Sequence, residues 1–160
     1  MIPIDLTGKT VLITGCDSPE ASRVARRFAL AGANLIIQYQ EKEESSGRLA
    51  EGINLAGGRA ETFYADLGKY QEAERLTDKI IERYKTIDVL VNAAGRPLQV
   101  PFRELTPEQW NESLQQNLFR VYHISSCISR LMTEGGRRRR EHYFRGPFFR
   151  PGRGRRFFRG

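Results

Sequence analysis

Long apolar runs are missing from this sequence. Its apolar stretches are broken by Gly, Asn or a charge within about ten residues, against the roughly 18 that a membrane-spanning helix needs. The first residues, MIPIDLTGKT, hold no basic segment followed by an apolar one, so no secretory leader is read there. A cytoplasmic location with no membrane partner is the expectation. Cysteine is scarce as well: Cys16 and Cys127 stand 111 positions apart with no metal-ligand spacing around either. That excludes a disulfide framework, and two reduced packing residues are expected in preference to a single disulfide or a functional site. No metal is expected.

What is present is ordinary for a globular protein: 39% hydrophobic and 28% charged residues in a chain of 160, enough for one domain with a sizeable core. The net charge of +7 is not evenly spread. Residues 134–160 carry ten Arg, no Lys and only Glu134 and Glu141, whereas residues 1–133 hold 16 basic and 17 acidic side chains. The nearly neutral body ends near Glu134, and the Arg/Phe/Gly-rich remainder has neither helical nor strand periodicity.

Within the body, short apolar runs alternate with longer helical patterns, which argues for βαβ units and an α/β fold. Four strands are read at Thr10–Thr14, Asn34–Tyr39, Ala60–Ala65 and Asp88–Asn92. Each is mostly apolar, as strands covered on both faces are. Helices fill the gaps. PEASRVARRFALAG aligns Ala21, Val24, Ala25, Phe28 and Ala29 on one stripe with Gly32 as a stop, and QEAERLTDKIIERY aligns Ala73, Leu76, Ile80 and Ile81. A further helix starts at Thr106-Pro107-Glu108, with Thr as N-cap and Pro in the first turn.

The stretch VLITGCDSPEAS places Thr14-Gly15 where the first strand turns into a helix. A dinucleotide-binding loop usually has small residues four and six positions later, and here those positions hold Pro19 and Ala21. The second small residue lets the backbone approach a pyrophosphate, and the third lets helix and strand pack closely. Ala21 meets its requirement. Pro19 removes an N–H yet suits a helix start, with Ser18 as N-cap. Asp17 and Glu20 bring two carboxylates towards an anion site, each opposing an anion by about 0.3–1 kcal/mol if exposed.

Four stretches in this order resemble the N-terminal half of the short-chain dehydrogenase/reductase family over residues 6 to 133: TGKTVLITG, FYADLGK, IDVLVNAAG and ELTPEQWNESLQQNLFRVYHIS. The resemblance implies an incomplete Rossmann-like parallel sheet of four strands in the order 3-2-1-4, with helices on both faces. It implies cofactor contacts from Thr14, Gly15, Ser18, Tyr39, Asp66, Leu67, Asn92, Ala93, Ala94 and Gly95. Asp66 would accept a hydrogen bond from the adenine amino group with Leu67 backing the ring, or else cap the next helix. Asn92 to Gly95 would let the backbone approach a ribose. Asn117 takes the catalytic position that in the family holds a water chain behind the lysine. The cofactor is NADP or NAD: Tyr39 and Gln40 are neither the carboxylate that favours a bare ribose nor the arginine that favours a 2′-phosphate. IIQYQ is most similar to NADP-using reductases of acyl-carrier or pteridine substrates.

The family's Ser followed by Tyr-x-x-x-Lys is missing. After Tyr122 the remaining tyrosine is Tyr143, and four residues on stands Pro147. The expectation is a truncated or divergent NAD(P)-binding oxidoreductase domain that is not catalytically competent as written. It would leave the edge of the fourth strand open and so self-associate, with Leu114, Leu118, Val121 and Ile128 on the following helix adding apolar surface. The alternative is a non-enzymatic binding module in which Arg and Phe of residues 137–160 contact RNA or another polyanion. A solvated linker, or an altered reading frame of GC-rich coding sequence, accounts for the same tail.

Overall fold

In a computed structural model, residues 4–16, 18–95 and 98–133 are described. The expectations for Asp17 and for residues 134–160, the polyanion contact of 137–160 included, lie outside the described residues.

Thr10–Ile13 (β1), Asn34–Tyr39 (β2), Arg59–Tyr64 (β3) and Val89–Val91 (β4) form one parallel sheet in the order β3-β2-β1-β4. The helices are Pro19–Leu30 (α1), Glu43–Leu55 (α2), Tyr70–Tyr84 (α3), Pro107–Leu114 (α4) and Arg120–Thr133 (α5), and a π-helical turn at Gln115–Phe119 joins the last two. The expected fold class, strand number and strand order are all present.

Strand side chains alternate between two cores, as a period of two requires. Val11, Ile13, Leu35 and Ile37 pack with Ala21 and Ala25 of α1 and with Leu49 and Ile53 of α2. Leu12 and Ile36 pack on the other face with Leu76 and Ile80 of α3 and Ile124 and Ile128 of α5. Because both faces are covered, β2 can be a continuous apolar run, and each fully buried Leu or Ile contributes about 1.5–3 kcal/mol.

Local chemistry sets the helix ends. The Ser18 hydroxyl accepts the Ala21 N–H at 3.2 Å with Pro19 in the first turn of α1. The chain leaves α1 through Gly32 at φ 88°, where a β-carbon would lie 2.7 Å from the Thr7 hydroxyl. Thr106 and Gln109 form a reciprocal capping box at the start of α4. Four expectations shift by a residue or a face. β1 ends at Ile13, one residue earlier than read. β3 starts and ends one residue earlier than read, and β4 loses Asp88 and Asn92, whose side chains bind neighbouring elements instead. Val24, assigned to the inner stripe of α1, lies at the rim with 36% exposure.

Candidate functional site

The loops that follow the four strands gather at the C-terminal edge of the sheet. There β2 lies to one side of β1 and β4 to the other, the switch point at which open α/β sheets leave a crevice. Gly15, two residues past the end of β1, has φ 67°. A β-carbon on it would lie 2.3 Å from the Ala94 Cα, so the loop after β1 rests directly on the loop after β4. The positive φ expected from a tight strand-to-helix turn is thus present, and close approach to Ala94 is a second demand for glycine that the sequence does not reveal.

Thr14 holds these loops together from below. It is fully buried, donates its hydroxyl to Val91 O at 3.4 Å, and accepts the N–H groups of Ala93 at 3.2 Å and Ala94 at 3.4 Å. It therefore supports the loop rather than lining the crevice. On the other side of that loop, a β-carbon on Gly95 would meet Asn117 Oδ1 at 2.9 Å. Asn117 lies in the π turn, and its amide donates to Ser113 O at 3.0 Å and to Ser113 Oγ at 3.3 Å. Asn92 donates to Ser125 Oγ of α5 at 3.1 Å. Thr14, Gly15, Ala93, Ala94, Gly95 and Asn117 thus form one contiguous group.

The start of α1 is almost fully committed. The N–H of Gly15 goes to Gln38 Oε1, that of Cys16 to Gln38 O, that of Ser18 to Gly15 O, and that of Ala21 to the Ser18 hydroxyl. Pro19 has none. Glu20 carries the one N–H among the described residues of this turn with no hydrogen-bond partner, and its side chain pairs with Arg23 at 3.1 Å, both groups exposed. That pairing offsets part of the repulsion expected from Glu20, although an exposed pair is worth little.

At the far side, Leu67 is buried in the core and Asp66 is half-buried. The Asp66 carboxylate accepts the Gly68 N–H at 3.1 Å and pairs with Lys69 Nζ at 3.4 Å. Lys69, not Asp66, is the N-cap of α3, so Asp66 closes the turn before the helix and keeps acceptor capacity to spare. Tyr39 is buried edge-on against the exposed Tyr64, with ring centroids 5.9 Å apart.

Beneath Leu67, His123 Nδ1 lies 2.9 Å from the Leu67 carbonyl, ringed by Tyr70, Phe119 and Tyr122. Burial pushes the Cys127 thiol up to about 11, so it stays a neutral packing group near neutral pH, as the sequence leads one to expect. Among the described residues no His/Cys/Asp/Glu cluster could hold a metal, and no helix is long and apolar enough to cross a membrane. An open cavity of about 370 Å³ sits at the opposite end of the sheet. Its polar groups satisfy one another there: Tyr84 donates to Glu61 at 2.6 Å, and burial with that bond raises the phenol to about 12.

Sheet order, glycine turn and small-residue loop together define a Rossmann-type dinucleotide fold. A family profile described as short chain dehydrogenase matches residues 9–139. The chain is 32% identical to 3beta-hydroxysteroid dehydrogenase 1 of Eggerthella lenta over 118 residues, 74% of this chain and 45% of the relative. Among solved structures, a dehydrogenase/reductase from Sinorhizobium meliloti superimposes with a TM-score of 0.76 at 30% identity, over 80% of this chain and 51% of that one. A short chain dehydrogenase from Burkholderia cenocepacia in complex with NADP gives 0.73 at 29% identity, over 78% and 51%. The chain belongs to the short-chain dehydrogenase/reductase family, and it spans about half the length of these relatives.

Proposed function

We propose that residues 1–133 are the dinucleotide-binding half of a short-chain dehydrogenase/reductase, binding NADP or NAD across the strand ends, and that the chain transfers no hydride by itself. The observation that carries this reading is the contact of Gly15 with Ala94, which brings the turn after β1 and the small-residue loop after β4 together at the sheet's switch point. A dinucleotide would lay its pyrophosphate on the start of α1, its adenine near Asp66 and its ribose against Asn92 to Gly95. Affinity is weak, because the first turn of α1 offers one free N–H, that of Glu20, where the family's glycine loop offers more. Tyr39 and Gln40 supply neither a carboxylate to repel a 2′-phosphate nor an arginine to pair with it, so both dinucleotides are accepted. The relative held in complex with NADP supports the ligand class. The family's Ser and Tyr-x-x-x-Lys, which would position a carbonyl and deliver a proton to it, do not occur in the sequence after Tyr122. Two buried cysteines outside any disulfide suit a cytoplasmic setting.

Calorimetric titration with NADPH and NADH tests the reading. Saturable binding of one dinucleotide per chain is expected, with no oxidation of either cofactor in the presence of carbonyl compounds. No heat with either dinucleotide, or steady turnover, would overturn it.

A further inference from the structure

The penultimate residue of β2 is a buried amide. The strand's sequence, NLIIQY, is otherwise what a strand covered on both faces needs, and Gln38 is 2% exposed on the same face as Ile36. A leucine would fill that space without burying polar atoms, whereas an amide with no partners there is costly. Both ends of the amide are engaged. Oε1 accepts the Gly15 N–H at 2.9 Å, and Nε2 donates to Ala65 O at 2.7 Å. The orientation is fixed by the partners, since a flipped amide would set donor against donor and acceptor against acceptor. The adjoining backbone repeats the link: Cys16 N–H bonds Gln38 O at 3.1 Å, and Ala65 N–H bonds Tyr39 O at 3.1 Å.

We propose that Gln38 is a positioning residue that clamps the glycine turn after β1 to the end of β3 and so fixes the spacing between Gly15 and Asp66. Ala65 immediately precedes Asp66, and Gly15 is pinned on its other side by Ala94. One side chain therefore joins the two segments that would hold opposite parts of an adenosine diphosphate. Its bearing on ligand binding rests on the dinucleotide reading above; the clamp itself does not.

Residue-resolved amide hydrogen exchange on the unliganded full chain tests the clamp. In Gln38→Leu the Gly15 amide must exchange faster, because its acceptor is gone. The informative amides are Gly68 and Lys69, which bond to Asp66 and not to Gln38. A clamp predicts that they too exchange roughly tenfold faster, the size of one lost buried hydrogen bond, while Ile36 and Ile37 keep their protection. Unchanged Gly68 and Lys69 would reduce Gln38 to a local partner of Gly15 and overturn the proposal. Gln38→Glu supplies the rescue and covers the case in which Gln38→Leu fails to fold. A protonated carboxyl can accept from Gly15 and donate to Ala65 as the amide does, and an ionised one cannot donate. Protection at Gly68 should therefore match the parent at low pH and fall as pH rises through the buried carboxyl's pKa; a flat profile would count against the clamp. Titration with ADP-ribose separates the two readings. If the parent binds it, Gln38→Leu should bind roughly tenfold more weakly. If the parent does not bind it, the dinucleotide reading fails and the exchange data still decide the clamp.

Discussion

Gly15 and Ala94 touch backbone to backbone: a β-carbon on Gly15 would sit 2.3 Å from the Ala94 Cα and 2.6 Å from its N. Gly15→Ala must therefore strain a positive φ and separate two loops at once. Each effect costs roughly 1–3 kcal/mol. Chemical denaturation should show the variant less stable by several kcal/mol, whereas Gly57→Ala, with a similar φ of 84° and open space around it, should lose only the backbone component.

Removal of the Thr14 hydroxyl should cost more than one hydrogen bond. Thr14→Val keeps the shape of the side chain but leaves the N–H groups of Ala93 and Ala94 without their acceptor. A loss of about 1–3 kcal/mol is expected, with Thr14→Ser restoring most of it. Equal stabilities of the valine and serine variants would show that the hydroxyl does not hold the loop.

Opening the start of α1 should strengthen binding. Pro19→Gly adds an N–H to a turn where Glu20 offers one, and Glu20→Gly removes a carboxylate only partly offset by Arg23. Calorimetry of the double variant with NADPH and NADH should give tighter binding of both, alongside a less stable helix, since a proline that suits the first turn is lost. Unaltered affinity would count against the start of α1 as the pyrophosphate seat.

Asp88 gives the fold an acid-side dependence. Its carboxylate accepts the Thr10 N–H at 2.8 Å and pairs with Lys9 at 3.1 Å, and the Thr10 bond holds its pKa below the usual carboxylate value. A carboxylate with a depressed folded-state pKa stabilises above the unfolded value and loses that contribution as pH falls through the folded one. Asp88→Asn should thus be less stable than the parent by about 1 kcal/mol at neutral pH. The gap should close below about pH 4. A gap that stays constant down to pH 2 would rule out the charge as its source.

Self-association should follow from the sheet's far edge. Among the described residues β4 ends the sheet, with Val89, Leu90 and Val91 only half-buried, and Phe102, Trp110 and Leu118 stand exposed nearby in sequence on the segment that follows. Of the helical residues expected to add to this surface, Leu118 is exposed, Leu114 and Val121 are half-buried, and Ile128 belongs to the core. Sedimentation at several concentrations should show mass rising with concentration, and Leu118→Lys should reduce it. A clean monomer at all concentrations would mean that the edge is covered.

The fold was largely legible because β1, β2 and β4 are apolar runs bounded by Gly, Asn or Asp, and because Ala21, Ala25, Leu76 and Ile80 recur at helical spacing on faces that do become buried. α2 is marked by little except the gap between strands, since Glu43–Leu55 holds two glycines and no side-chain cap. The supports of the site were less legible. Gln38 lies 23 residues from Gly15 and 27 from Ala65, so a lone amide in an apolar run has no local sign of its partners. Thr14 shows the same limit: a hydroxyl beside a glycine turn reads as a ligand contact, and only the fold shows that it points inward.

The π turn at Gln115–Phe119 amounts to one residue more than an ordinary helix needs. Deleting a single residue there would let the α-helical ladder run unbroken from Pro107 to the end of α5, with Ile124, Ile128 and Leu131 still facing the sheet. A shortening that usually damages a helix would in this place regularise it, at the cost of the displaced position Asn117 now occupies against Gly95. The extra residue is thus what sets Asn117 against Gly95, beside the second tie that Ser125 of α5 makes to Asn92 of the same loop.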